Sequence, residues 1–596
     1  MPPTRKRRSS NKSPSNSEVV APGGGTQEDV NKLAKNLGME ANAVVEILNS
    51  EGSGVASARR SRSSGSGVEG SAPVVDSSAW SDFMNDGAKD KDKDDEGDDS
   101  KDTAPAREGA SAPKRAKKDV SASAAVVADN GDLGKEYALP IEPKKSEPGI
   151  LAQTGSLDAK MVGRTKRPLK ELFDLQEPTL LGYESIFENQ HVAVIATSST
   201  AVHSIIITTD GTAYSWGRNE SGQCGFGSTS VCVPVPKKIE HASKFVAAAV
   251  GKSHSILVAD DGVCYAVGFN KYGQCGVNTS LEAVLSWKKC IFSGATGAKI
   301  VQAACGENFS VLLDSDGFMY SAGLGEFGQL GNGETGEYFI AANKIGFANS
   351  TKFERRSVFV HKPDISIWEV KKPPVPMPDS DHIRIGSIAC GKQHTVAVEA
   401  PLKDGSGAQR VFTWGCGGYG VLGHGVQVDQ YTPQLVNTFL GPLFKSNSPI
   451  RACAGAHCSL VLTGNGHVYY CGKHRSVGEA TMRPALVDVL ANNAHVVTAL
   501  DGGGQTVVCS TQNGVTVSWG VGQTGELGYG EGNPKSSAKP KFIEKLDSVL
   551  ITDVSCGYGH TLFIIRNEDD EDKKVVANLA RIETDELTAF IKKWSK

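Results

Sequence analysis

Cysteine is missing from the first 220 residues of this 596-residue chain, and aromatic residues, 7% of the whole, are almost missing from residues 1–148. A stretch built from Ser, Gly, Ala, Lys and Asp cannot bury enough apolar surface to offset the entropy of ordering it, so residues 1–148 are expected to form a disordered tail. The thirteen cysteines that follow include no C-x-x-C pair and no zinc spacing, which leaves buried free thiols in a reduced compartment as the expected state. No apolar stretch is long enough to span a membrane, and the N-terminus lacks a signal peptide's apolar core. The expectation is an intracellular, soluble protein without membrane insertion. Net charge is only -4, yet charge is laid down in blocks. Arg5, Lys6, Arg7 and Arg8 open the chain, Arg59, Arg60 and Arg62 follow, then an acidic run over residues 90–102, then Lys114, Arg115, Lys117 and Lys118. Short basic clusters in disordered chain read as nuclear import signals or nucleic-acid contacts, against the alternative of a solvated charge run. Within the tail, residues 26–48 carry apolar residues at near-helical spacing, consistent with a small helical hairpin or a transient helix.

Repetition is what the chain does have. An apolar strand ending in Gly, a short polar turn and a further Gly recur six times: YSWGRNESGQCG from Tyr214, YAVGFNKYGQCG from Tyr265, YSAGLGEFGQLG from Tyr320, FTWGCGGYGVLG from Phe412, a degenerate YYCGKHRSVGE from Tyr469, and VSWGVGQTGELG from Val517. Gly217, Gly268, Gly323, Gly415, Gly472 and Gly520 are the equivalent blade-turn positions, spaced by roughly 50 to 57 residues with one interval of roughly 92. The third unit therefore carries an insertion. A second phrase, resembling A-C-G-x-x-H-[ST] followed by apolar residues, precedes each first phrase and occurs seven times, clearest from Ala303, Ile388 and Val554. Asp-Gly or Asn-Gly pairs such as Asp210-Gly211 and Asn513-Gly514 join the two phrases as hairpin turns. Four strands per unit, arranged radially, make a blade. The predicted fold is an all-β, seven-bladed β-propeller with a disordered N-terminal tail and a short C-terminal helix.

The expected organisation is a tail over residues 1–148 and a propeller over 149–570. Its repeats span about 191–240, 241–291, 292–381, 382–436, 437–490, 491–546 and 547–570. An amphipathic helix over 571–596, broken near Thr584, follows. The seventh repeat has no outer-strand phrase after it. Residues 149–155 end in Gly155, with Gly163 eight residues beyond, the interval that separates Gly217 from Gly225. Residues 149–165 are therefore expected to supply the missing outer strand and close the last blade, which removes exposed sheet edges.

These paired phrases, their period and their count resemble the repeats of the regulator of chromosome condensation superfamily, over about residues 149–570. Several stretches, among them ITTDGTAYSWGRNESGQCG from Ile207, the Arg355-Arg356 pair, WGCGGYGVLGHG from Trp414 and TGELGYGEGNPKSS from Thr524, are closer to a second branch of that superfamily than to its Ran exchange factor. The resemblance implies a nuclear, non-catalytic scaffold that binds or regulates small GTPases of Rac or Ral type. It also implies action in chromosome condensation, on the mitotic spindle and in cell-cycle progression. Chromatin or DNA, through the basic tail, and microtubules are further implied partners. The alternative within the same superfamily is a chromatin-bound guanine nucleotide exchange factor for Ran.

No residue pattern stands out as catalytic, metal-binding or cofactor-binding. His203, His254, His394 and His560 occupy one position in four inner strands, where the other units have Phe309, Cys458 and Gln505. A residue that recurs once per blade is spread around a ring and does not converge on one ion, so a structural histidine bonded to neighbouring backbone is expected. Gly217 to Gly222 has no following Lys-Ser or Lys-Thr and recurs in nearly every unit, unlike a phosphate loop. Specific function should sit where periodicity breaks, chiefly residues 347–381. There, residues 357–360 are expected to form a blade strand, and residues 361–378 a projecting loop. Lys362, Asp364, Trp368, Lys371 and Lys372 make that loop a candidate interface, because Trp and basic side chains suit one, and the resemblance implies that this region is the GTPase-binding surface.

Overall fold

In a computed structural model of the chain, the described residues are 136–157, 159, 162, 174–294, 298–334, 336–341, 344–358, 382–473, 479–583 and 585–586. The basic clusters from Arg5 to Lys118, the 26–48 segment and the candidate loop residues Lys362 to Lys372 lie outside them.

The strands form a seven-bladed propeller. Blade 1 shows the unit: Val192–Ala196, His203–Thr208, Ala213–Asn219 and Ser230–Lys238 pair antiparallel in chain order. Blades 2, 4, 5 and 6 repeat it over residues 245–289, 385–435, 449–486 and 497–542. The second strand of every blade, from HSIIIT in blade 1 to HTLFII in blade 7, is buried along its whole length. Such runs read as continuously apolar because neighbouring blades cover both faces. Between each pair of adjacent blades lies one hydrophobic cluster; Ile205 and Ile207 of blade 1, for example, meet Val250 and Leu257 of blade 2. The core is thus a ring of seams between sheets.

The glycine phrase has a steric cause. Gly217, Gly268, Gly323, Gly415, Gly472 and Gly520 all lie at or near the end of the third strand, with φ between 101° and 117°. Each stands directly opposite the first residue of the second strand, as Gly268 does opposite His254. A Cβ on Gly268 would run into the Ser253 carbonyl and the His254 Cα. Later in the phrase, Gly225 lies under the indole of Trp287 from the next blade, so a side chain there would push two blades apart.

Blade 7 is built from both ends of the domain. Ile551–Cys556 and His560–Ile565 supply its first two strands, Ile150–Ser156 its third and Asp174–Gly182 its fourth. Gly155 pairs with His560 as Gly217 pairs with His203, and it too has positive φ, 87°. Where one outer strand was expected from residues 149–165, the N-terminal part supplies two, and the outermost lies beyond that window. Asp174–Gly182 carries no glycine phrase, so nothing local marks it.

Three further expectations need correction. Residues 136–148, assigned to the disordered tail, are seated against the blades: Ala138 N donates to Pro401 O (2.8 Å) and Ile141 N to Ser315 O (2.7 Å). At the C-terminus the helix expected over 571–596 breaks earlier than Thr584: its first piece is Asp570–Val576, started by Asp569, whose side chain accepts from Glu571 N and Asp572 N, and residues 587–596 lie outside the described ones. The chain then adds Ala580–Glu583 as a fifth, parallel strand on Asp174–Gly182, covering an edge that would otherwise be open. In blade 3 the outer strand is Ser350–Arg356, ahead of the expected 357–360, of which 359 and 360 lie outside the described residues, and it pairs with Met319–Gly323. Phe353 decides this register: it is fully buried in the seam with blade 2, against Gly276.

The two glycine environments can be separated by substitution. Gly268→Ala is expected to cost about 3 kcal/mol, from left-handed strain plus the clash with Ser253 and His254. Gly227→Ala, at φ 78° with nothing within 4 Å of its Cβ, should cost about 1 kcal/mol. Chemical denaturation measures both, and equal costs would show that strand contact is not what demands glycine at Gly268.

Candidate functional site

The recurring histidines hold blades together. His203 Nε2 lies 2.8 Å from Ser255 Oγ in the next blade, and that hydroxyl donates to Gln223 O (2.9 Å) in the turn of the first. His254 repeats this with Ser310, which donates to Gln274 O, and His394 with Ser459, which donates to Val421 O. His560 reaches Ser204 across the closing seam at 2.9 Å. The expected backbone partner is therefore corrected to a serine hydroxyl of the following blade. In blade 6 the equivalent residue is Thr506, opposite Gly520, and not Gln505, because the first strand runs on through Gly502 and Gly503 is the glycine that matches Gly251.

The Ser255, Ser310 and Ser459 protons are each committed to a carbonyl, so the imidazoles of His203, His254 and His394 must donate from Nε2. Nδ1 of His203 and of His254 then has no partner among the described residues. Protonating it would create a buried N–H without an acceptor. Burial accordingly pushes His254 and His394 down to about 3, burial with the neighbouring His254 and His560 does the same to His203, and burial takes His560 to about 4. These are neutral structural groups at physiological pH. Among the described residues there is also no group of three or more His, Cys, Asp or Glu that could hold a metal ion.

Departures from the repeat concentrate on blade 3. Between its third and fourth strands the chain makes a separate hairpin, Glu337–Ala341 with Lys344–Phe347, which belongs to none of the blades. Ala348 N donates to Gly336 O (2.7 Å) and closes its base. Tyr338, Phe339 and Ile345 stand on it in the open, Phe339 at 79% exposure. Sequence reasoning placed the insertion after residue 347 and missed this hairpin. Its apolar run Tyr338-Phe339-Ile340, set between Gly336 and a second run from Lys344, was the available signal.

The longer insertion starts just after the outer strand. Val358 and Ile383 are both buried, and Ile383 N donates to Val358 O (3.1 Å), so the described chain is pinned to the blade on either side of residues 359–381. The base of that loop is cationic and aromatic. Phe318 has the guanidinium carbons of Arg355 and Arg384 at 3.3 and 3.6 Å from its ring centroid, with the His382 ring edge-on at 6.0 Å. Arg356 is fixed by Ser321 Oγ (2.7 Å) and Glu354 (3.0 Å). Stacked guanidinium groups of this kind form a firm platform, because cation–π contact and packing both hold them. Lys362, Asp364, Trp368, Lys371 and Lys372 belong to the chain that leaves from it.

The RCC1-like domain family matches residues 153–563. Protein RCC2 of Mus musculus is 35% identical over 392 residues, covering 65% of this chain and 70% of that protein. Regulator of chromosome condensation of Homo sapiens is 25% identical over 74% of this chain and 96% of that protein. Prp20p from Saccharomyces cerevisiae, at 20% identity, has the same fold with a TM-score of 0.52, over 74% of this chain and 96% of that one.

The histidine staples predict an acid-sensitive fold. Their folded pKa lies below the ordinary 6.5, so the unfolded state binds more protons once pH drops below that value. Their contribution is complete above about pH 6.5 and is lost as pH falls toward 3. His254→Asn should reduce the slope of unfolding free energy against pH by about 1.4 kcal/mol per unit between pH 6 and 4. Denaturant titrations across that range check it; an unchanged slope would mean that His254 is protonated in the folded state.

Proposed function

The chain belongs to the RCC1-like domain family, and on that premise we propose that it is a nuclear, non-catalytic scaffold that binds and regulates a small GTPase of Rac or Ral type during chromosome condensation and mitosis. The observation that carries this reading is the irregular surface of blade 3, which bears an exposed aromatic hairpin next to the Ser350 end of its outer strand and the Arg355–Phe318–Arg384 platform at the other end. Elsewhere the repeats present the same turn from blade to blade, which suits a scaffold better than a partner-specific contact. Exposed aromatic residues and fixed arginines are the side chains from which interface hot spots are built. Greater identity to Protein RCC2 than to Regulator of chromosome condensation favours a Rac or Ral partner. Lys362, Trp368, Lys371 and Lys372 would extend the surface, and the basic clusters Arg5 to Arg8 and Lys114 to Lys118 would direct nuclear import and touch DNA.

A second reading, exchange factor for Ran, draws on one observation: Prp20p, which shares the fold, binds Gsp1p and histones. In that case the propeller would favour the nucleotide-free GTPase and shift a binding equilibrium without covalent chemistry.

Nucleotide release from purified Ran, Rac and Ral separates the two. The first reading expects no fast release from Ran and binding to nucleotide-free Rac or Ral. Phe339→Ser should weaken that binding about tenfold, as should deletion of residues 361–378. The melting temperature should hold in Phe339→Ser, since the side chain is already in water. Catalytic release from Ran would overturn the scaffold reading.

A further inference from the structure

Residues 136–149 cross one face of the ring. Tyr137 bridges to Leu402 and its hydroxyl donates to Glu399 Oε1 (2.8 Å), a carboxylate that also holds Arg410. Ile141 N donates to Ser315 O and the side chain packs into the seam between blades 3 and 4. Lys144 Nζ then reaches both oxygens of Asp553 in blade 7, Ser146 Oγ donates to the same carboxylate (3.1 Å), and Thr552 Oγ1 donates to Glu147 O (2.7 Å). Gly149 pairs with Val192 at the start of blade 1. All these partners lie at the end of the blades where first strands begin and second strands turn. Blades 3 and 4 stand across the ring from blades 7 and 1, and from Ile141 to Lys144 the chain covers at most about 11 Å. The segment therefore spans the mouth of the central channel.

Its seating is side-chain specific. Apart from the strap, the cation nearest the buried Asp553 is Arg451 of blade 5, at 3.8 Å. Burial by itself would raise the Asp553 pKa, but Lys144 and Arg451 outweigh it and hold the carboxylate charged. The mouth thus offers a carboxylate slot for an ammonium group, an apolar niche three residues before it and a tyrosine site seven residues before it. None of the strap is a regular helix or strand, so backbone ladders do not tie it down.

We propose that this channel mouth is a peptide-binding groove, occupied in cis by residues 136–149 and open in trans to an extended lysine-bearing segment of a partner protein. The strap is the resident ligand. Displacing it frees Asp553 and Glu399 and releases the chain that precedes residue 136. This reading does not depend on which GTPase, if any, blade 3 engages.

The test uses the full-length chain and a labelled synthetic peptide with the sequence of residues 136–149. The triple variant Tyr137→Ala, Ile141→Ala, Lys144→Ala should bind the peptide at least tenfold more tightly than the wild-type chain does. A peptide carrying Lys144→Met should bind that variant at least tenfold more weakly. Should the triple variant fold poorly, the wild-type chain answers the question: saturating peptide should speed hydrogen exchange at the Ala138 and Ile141 amides while residues 560–565 stay protected. Equal binding to both proteins, indifference to the Lys144→Met change, or unaltered exchange at saturating peptide would each overturn the proposal.

Discussion

Everything in this propeller rests on the pairing of Ile150–Ser156 with His560–Ile565. Those two strands lie more than four hundred residues apart in sequence, and their ladder turns a row of sheets into a ring. With it in place each blade has a neighbour on both sides, so every second strand can be buried along its whole length. Blade 7 then carries the domain's two ends, which is why both flanks of the domain settle on it: Ala580–Glu583 along its edge, and Lys144 against Asp553.

Ring geometry also explains the repeated residues. A radial sheet needs its third strand to turn tightly beside the second, and glycine meets that need where Gly217 faces His203. The histidine cannot then reach outward, and it bonds instead to a hydroxyl of the following blade. The result is a neutral polar staple in an otherwise apolar seam, tolerated because the imidazole Nε2 and the serine hydroxyl meet each other. Repeated residues of this kind belong to architecture. Residues that break the pattern, such as Phe339, Arg355 and Lys144, stand outside that architecture.

Much of this could be read along the chain because it is local. Period, hairpin turns and the Gly155 trace needed only short windows, and the family resemblance rested on those same windows. What escaped was what depends on distant partners. Asp174–Gly182 looks like ordinary polar chain until His560–Ile565 and Ile150–Ser156 offer it an edge. Residues 136–148 look like the rest of the tail in composition; Glu399, Ser315 and Asp553 hold them, and those lie hundreds of residues away. The hairpin at Glu337–Phe347 was hidden for a different reason, since its apolar run resembles a blade strand and only the competing strand Ser350–Arg356, fixed by Phe353, shows that it is not one.

The sequence alone determined the unit: four strands, a turn that requires glycine, seven copies and an incomplete last one, because hydrogen-bonded turns and strand periodicity are set by near neighbours. Tertiary structure decided which strands complete the seventh blade, which hydroxyl each histidine meets and what lies across the channel mouth. Those choices depend on side chains brought together only when the ring closes, and no local window contains both members of such a pair.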